Sequence, residues 1–385
     1  MWGFVVLGGD FVAGNANLGA AKAAKNDEFY TQWNDIENEM QAYLEYDPDV
    51  FRGKTVLLPC DDPGASNFTK YFALNFEKFG LKKLISTSCA PRFNPANEKR
   101  GRIYILERGA DLNDGGKLNK EDLRWAYLEG DGAFRSDEVT KLRDEADMVI
   151  TNPPFSLFRE FMAWLAGGDV EFSAIGNMNA ITYKEIFPLI KENKVWLGRG
   201  NSMWFEVHAT YPENKNEKFT KEGSRIIPVY SKWFTNIQHG RKNEPLKLMT
   251  MDDNLRYNKR IMGSPNSYKN YDNYDAIEVP FVSGIPSGYE GVMGVPLSFL
   301  DKYNQEQFEI LGSQRWGKSQ ELLDVYTGDV VPPENDKKTL INGKETYDRI
   351  FIRHRNPGRK EPQLLSRSRG GRSSLRCKRE LSHIL

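Results

Sequence analysis

The chain has few of the side chains that build metal or redox sites. Three cysteines (Cys60, Cys89, Cys377) and four histidines (His208, His239, His354, His383) are scattered over 385 residues. There is no Cys-x-x-Cys spacing and no Cys/His cluster, so no zinc or other metal ligand is assigned. Free thiols suit a reducing cytoplasm, which is the expected compartment. No apolar run approaches the ~20 residues of a membrane span. The mildly apolar stretch from Met1 to Leu7 lacks the basic and long apolar parts of a signal peptide. There is no internal repeat. There is no net charge either, since 53 basic residues balance 53 acidic ones.

That balance hides a skew. Residues 353–379 carry ten basic side chains, beginning with Arg353 and Arg355, against the single acid Glu361. The body of the chain is therefore acidic. Such a tail can track phosphates without sequence preference, or it can simply be a solvated, unstructured end. The rest is ordinary globular composition: 39% hydrophobic and 28% charged, with enough aromatics for a sizeable core.

Periodicity predicts an alternation of helices and strands. Ile36, Met40, Tyr43 and Leu44 recur at helical spacing between Asp35 and Tyr46. Residues 55–58 read as a strand, 68–79 as a helix ending at Gly80, and 84–88 as the next strand. Residues 103–106 and 125–128 suggest a hairpin. Then come a helix over 139–145, strands over 148–151 and 172–175, and a helix over 184–191. This order implies an α/β fold on a parallel, doubly wound sheet. Residues 195–198 and 203–207 are expected to pair antiparallel and close it. After Arg241, Asn, Tyr, Asp, Gly and Pro dominate, which suits loops and short strands.

Asn152-Pro153-Pro154-Phe155 follows the apolar run Met148-Val149-Ile150 and precedes a helix-like stretch over 156–165. Each proline fixes its own φ and pushes the residue before it toward extended geometry. Asn152 is thus expected on a stiff backbone at the carboxyl end of a strand, where open α/β sheets bind ligands. There an Asn side chain and a proline carbonyl make a fixed acceptor pair for an amino group, beside the flat face of Phe155. An Asx turn after a buried strand would use the same residues.

Several other segments occur in a telling order. They are Lys25-Asn26-Asp27-Glu28-Phe29-Tyr30-Thr31-Gln32, the run from Gly53 to Pro63 with Ser66-Asn67-Phe68, the run from Leu128 to Ser136, and the run from Asn179 to Phe187. With the Asn-Pro-Pro-Phe motif, the chain from about Asn17 to about Ile352 resembles the EcoRI-type adenine-specific DNA methyltransferases. The resemblance implies a Rossmann-like sheet dependent on S-adenosylmethionine (SAM) and a C-terminal, loop-rich DNA-recognition domain. It implies that Asn152 and Pro153 accept hydrogen bonds from the target amine and that Phe155 stacks on a flipped base, with Pro154 completing the motif. It implies cofactor contacts from Phe29, Tyr30 and Thr31, from Asp61, Asp62 and Pro63, and from Asp131. Either Asp61 or Asp62 would pair with the cofactor ammonium. An acidic cap for the following helix is the plainer reading of both, and an Asp-Gly turn is the plainer reading of Asp131. No acid follows residues 84–88 until Glu98, so the ribose contact stays unassigned.

The expected organisation is an extension over 1–24, a catalytic domain over 25–240, a recognition domain over 241–350 and a basic tail over 351–385. Arg256, Lys259, Arg260, Arg315 and Lys318 are candidate DNA contacts, and Trp233, Tyr257, Tyr271, Tyr274 and Trp316 can stack on bases or fill a core. The expected partner is double-stranded DNA, with a restriction endonuclease as functional partner and a monomer as the working form. The rival readings are an RNA or protein-glutamine methyltransferase and a catalytically inactive DNA-binding relative.

Overall fold

The computed structural model describes residues 30–90, 99–108, 125–200, 203–207, 211, 213–221, 223–313, 320–328 and 338–357. The expected extension over 1–24, Phe29, Glu98, Arg315, Trp316, Lys318 and the tail beyond 357 lie outside them.

The chain opens with the two-residue strand β1 (Tyr30–Thr31) and the helix α1 (Trp33–Tyr46). Ile36, Met40 and Tyr43 fall on one face of α1 and are buried, as an apolar stripe at helical spacing requires. Then come β2 (Thr55–Leu58), α2 (Asn67–Leu74), α3 (Phe76–Phe79), β3 (Lys83–Ser88), β4 (Arg102–Glu107) and β5 (Trp125–Tyr127). The expected single helix over 68–79 breaks at Asn75, which caps both pieces. Next are α4 (Asp137–Glu145), β6 (Met148–Thr151), α5 (Phe158–Ala166), β7 (Glu171–Asn177) and the short helix α6 (Phe187–Lys191). Five strands follow: β8 (Trp196–Leu197), β9 (Met203–Glu206), β10 (Lys218–Phe219), β11 (Arg225–Val229) and β12 (Ser231–Thr235).

The main sheet has eight strands in the order β5-β4-β3-β2-β6-β7-β12-β8. The four central strands, β3, β2, β6 and β7, are parallel. β4 and β5 extend one edge antiparallel, as the predicted hairpin. β12 and β8 extend the other edge antiparallel. Both faces are covered: Val56 and Met148 enter the apolar cluster beneath α1 and α2, while Leu57 and Val149 enter the cluster that holds α5. Strands buried on both faces read as continuous apolar runs, which is why β2 and β6 stood out in the sequence.

Two expectations change. Residues 195–198 and 203–207 do not pair with each other. β8 joins β12, while β9 leaves the main sheet and pairs with β1 and β11 in a second, four-stranded sheet. The residues that follow β8 are held against α1. Buried Glu39 of α1 accepts from the Gly200 amide at 3.0 Å, and a Cβ on Gly198 would collide with the same carboxylate. The second change concerns the tail. Residues 349–354 form a strand whose Phe351 and Ile352 are fully buried, so the folded chain continues past 351.

That last strand belongs to a third sheet. Its members are β13 (Ala276–Glu278), β14 (Val292–Pro296), β15 (Phe308–Ser313) and, after the short hairpin β16 (Leu340–Ile341) and β17 (Lys344–Glu345), β18 (Arg349–His354). The order is β13-β14-β18-β15. Ile277, Met293, Phe308 and Ile352 on one face join the core that contains Val149 and Phe158. Across β13 and β18, buried Arg349 pairs with buried Glu278, which also accepts from the Tyr271 hydroxyl. No helix among the described residues is long and apolar enough to cross a membrane.

Candidate active site

In the main sheet the chain moves from β2 outward to β3, then returns to the other side of β2 with β6. The strand order therefore reverses between β2 and β6, which is where an open α/β sheet opens a crevice at the carboxyl ends of its strands. The two most informative segments of the sequence end on that crevice: Asp61-Asp62-Pro63 after β2 and Asn152-Pro153-Pro154-Phe155 after β6.

The two segments are tied together. Asp61 is 5% exposed. Its carboxylate accepts from Thr151 Oγ1 at 2.5 Å and from Ser66 Oγ at 2.7 Å. Thr151 is the last residue of β6, next to Asn152. Ser66 is the N-cap of α2 and also accepts from the Phe68 amide. Burial pushes the Asp61 carboxyl up to about 7; the two hydroxyls pull it back down, and the neighbouring Asp62 charge adds to the rise. Ser86 of β3 donates to the Asp61 carbonyl at 2.6 Å, so the backbone is fixed too. Asp62 faces the other way, with its side chain about a third exposed. One oxygen caps the Gly64 and Ala65 amides, and the other lies 3.2 Å from Ser88 Oγ and 3.5 Å from Arg102. Pro63 is buried beneath this turn. Asp62 thus caps the local turn and keeps a solvent-facing edge, while buried Asp61 joins α2 to β6.

Pro154 is extended, with ψ 125°. Its carbonyl accepts from the Leu157 amide at 2.9 Å. A 3-10 turn over Phe155–Leu157 then leads into α5. The Phe155 ring stands edge-on to Phe205 of β9, with centroids 6.0 Å apart and planes at 85°.

Phe205 brings the second sheet to the site. It pairs in register with Thr31 of β1. Thr31 is buried, its carbonyl accepts from Asn67 Nδ2 at 2.9 Å, and its hydroxyl has no partner among the described residues. Tyr30 beside it is exposed. A buried hydroxyl without a partner costs free energy unless a ligand satisfies it. Three groups thus meet at the crevice: Thr31 with Asn67, Asn152 to Phe155, and the buried Asp61–Thr151 pair that ties the two loops together.

A fourth wall lies at the carboxyl end of β3. Gly132 has φ +73°, and a Cβ there would strike the Ser88 carbonyl, so only glycine permits this approach. Asp131 is exposed, and its own Oδ1 accepts from the Ala133 amide at 2.9 Å. Phe134 is buried against Phe161 and Trp164.

Farther along, Trp233, Tyr271 and Tyr274 are core residues, whereas Tyr257 is 70% exposed. Tyr257 lines a groove of about 560 Å³ with Lys247, Met249, Asn258, Lys259, Ser283 and Lys302. Arg256 and Arg260 belong to the same pair of short helices, Met251–Tyr257 and Lys259–Met262.

Three participants escaped the sequence reading: Thr151, Asn67 as a clamp on Thr31, and Phe205. Thr151 left a signal, because it is the one polar residue at the end of an apolar strand. Phe205 left none, since it reaches the site through a separate sheet.

Comparisons with known proteins agree with this architecture. The family described as adenine-specific methyltransferase EcoRI matches residues 17–355. The type II methyltransferase M.EcoRI of Escherichia coli is 41% identical over 357 residues, covering 89% of this chain and 98% of that protein. M.MpnI of Mycoplasma pneumoniae is 36% identical over 343 residues, covering 87% and 97%. M.MgeORF184P of Mycoplasma genitalium is 34% identical over 341 residues, covering 86% and 97%. No solved structure matches the chain. A match over most of the length, with the motif seated at the crevice of the main sheet, identifies the chain as a member of the EcoRI adenine-specific methyltransferase family.

Proposed function

We propose that this chain transfers a methyl group from SAM to the exocyclic 6-amino group of adenine at a short specific site in double-stranded DNA. The observation that carries the reading is the Asn152-Pro153-Pro154-Phe155 motif, held at the carboxyl end of β6 in a member of an adenine-specific methyltransferase family.

The target amine is out of reach inside a duplex, so the base is flipped at a cost of a few kcal/mol. Asn152 Oδ1 and the Pro153 carbonyl accept its two N–H bonds. That draws the nitrogen toward tetrahedral geometry and turns its lone pair into the crevice. Phe155 stacks on the base, steadied by Phe205 edge-on behind it. Bound SAM supplies an electrophilic methyl group. The residues present suit that ligand: the buried Thr31 hydroxyl lacks a partner among the described residues and would hold the cofactor carboxylate, while the solvent-facing edge of Asp62 would hold its ammonium. Asp131, Tyr30 and Pro63 would stand at the margins of the cofactor site. Asp61 does not face the ligand in this reading. It locks the cofactor loop to the strand that presents Asn152. Rate enhancement comes from positioning and from acceptors oriented in advance.

Residues 25–240 carry the chemistry, on a Rossmann-like sheet, and the stretch from 241 reads the DNA. The groove around Tyr257 and Lys259 supports that division. The protein acts as a cytoplasmic monomer, with a restriction endonuclease as its functional partner. Sequencing modified bases in DNA from a host that expresses the protein tests the reading. Adenine methylation at one short motif is expected, and its absence alongside measurable SAM binding would sink the DNA assignment. Alanine at Arg256, Lys259, Arg260 and Arg315 should weaken or relax site choice while SAM affinity stays put.

A further inference from the structure

Arg159 and Tyr183 have no part in the mechanism above, yet they stand on the two loops beside its centre. Arg159 lies in the first turn of α5, four residues after Phe155. Tyr183 ends the 3-10 turn that leaves the carboxyl end of β7, and β6 and β7 are adjacent parallel strands. The Arg159 guanidinium carbon lies 4.2 Å from the Tyr183 ring centroid, a close cation–π contact. The Tyr183 backbone is itself pinned, since its amide donates to Ala180 and its carbonyl accepts from Ile186 and Phe187.

Arg159 is exposed. Among the described residues it makes no ion pair, and the adjacent acid, Glu160, is engaged by Arg135. A cation in a first helical turn faces the positive end of the helix dipole, so α5 gains nothing from it. What remains is a planar, oriented guanidinium without a counter-charge, on the edge where a flipped base must enter. Its fork geometry suits the paired oxygens of a phosphate.

We propose that Arg159, held against the face of Tyr183, binds a backbone phosphate of the DNA next to the flipped adenosine. The proposal rests on the function given above. Flipping rotates the nucleotide about its backbone, so the flanking phosphate must be held while the base sits against Asn152 and Phe155. A phosphate contact fixes register and orientation and carries no sequence information. Arg159 is therefore a positioning residue: it sets affinity for any duplex and does not choose the site.

The experiment measures DNA affinity across a salt series, with SAM affinity and the methylated site, for the wild type, Arg159→Ala, Arg159→Lys and Tyr183→Leu. Arg159→Ala should weaken DNA binding about tenfold and lower the magnitude of the salt slope by about 1. SAM affinity and site choice should stay as in the wild type. Arg159→Lys should keep the slope but lose affinity, because an ammonium keeps the charge without the stacked fork. Tyr183→Leu should behave like Arg159→Lys. A wild-type slope and affinity in Arg159→Ala would overturn the proposal. So would a matching loss of SAM affinity and thermal stability, which would mark a structural residue. Failure of the functional reading looks different: the wild type itself would then leave adenine in DNA unmethylated.

Discussion

Replacing Asp61 with Asn removes one charge from the interior and keeps the shape of the side chain. The carboxyl is held near 7 by burial, against 3.8 for the unperturbed group. The folded chain thus binds this proton more tightly than the unfolded chain does. By linkage, the associated stability is complete below about pH 4 and is lost as the pH rises through 7. About three pH units at ~1.4 kcal/mol each make the loss about 4 kcal/mol. That is a large share of the ~5–15 kcal/mol that holds a typical domain. Asn has no proton to lose, so the difference in unfolding free energy should move in favour of Asp61→Asn by about 4 kcal/mol between pH 4 and pH 8. Urea titrations of both proteins at several pH values measure it. A difference that does not change with pH would refute the burial argument. Asp61→Ala separates the charge from the hydrogen bonds. Thr151 and Ser66 lose their buried acceptor, at ~1–3 kcal/mol each, so Ala should be less stable than Asn at every pH. Turnover should fall in the Ala variant as well, because Thr151 is the anchor next to Asn152.

Three further outcomes are expected. Asn152→Ala should lower methyl transfer by about 10²–10³-fold, by analogy with the loss of one oriented hydrogen-bonding group in other enzymes, with SAM affinity nearly intact; near-normal single-turnover rates would remove the motif from the mechanism. Thr31→Val should keep or slightly raise thermal stability, because the buried hydroxyl has no partner among the described residues, yet weaken SAM binding about tenfold in equilibrium dialysis; unchanged affinity would move the carboxylate contact elsewhere. Arg349→Met should strand the buried Glu278 carboxylate and cost ~3–5 kcal/mol, visible as a lower melting temperature, and a neutral result would mean that the pair is solvated.

The parallel centre of the fold was legible because its signals are local. Residues 55–58 and 148–151 are short apolar runs with turn residues behind them, and helix α1 shows its buried stripe at i, i+4 and i+7. Asn152 was legible for the same reason: two prolines fix the chain whatever surrounds it. Strand β12 was not legible. Its sequence, Ser-Lys-Trp-Phe-Thr, mixes polar and aromatic residues, and all five positions are buried only because Lys232 finds Asp301 and Thr235 finds the Phe172 carbonyl. Those partners lie more than 60 residues away, one in each direction along the chain, beyond anything periodicity reports.

The same limit explains the acids after β2. Asp61 and Asp62 are identical and adjacent, so no property of the sequence separates them. Both lie past the end of β2, in the loop that leads to α2. One turns in toward Thr151, while the other turns out toward Ser88 and the solvent. Which is which depends on partners that are distant in sequence, Thr151 above all. The inward acid then pays a desolvation cost that makes sense only if it holds two elements together. Ser66 opens α2 and Thr151 closes β6, and a single carboxylate accepts from both. A disturbance in the loop after β2 therefore passes through one side chain to the residue before Asn152. Thr31 and Phe205 close the circuit from the second sheet, since they pair in register while one meets Asn67 of α2 and the other meets Phe155. The crevice is thus braced from both ends of the motif that would hold the amine, which is the condition for a reaction that works by placement.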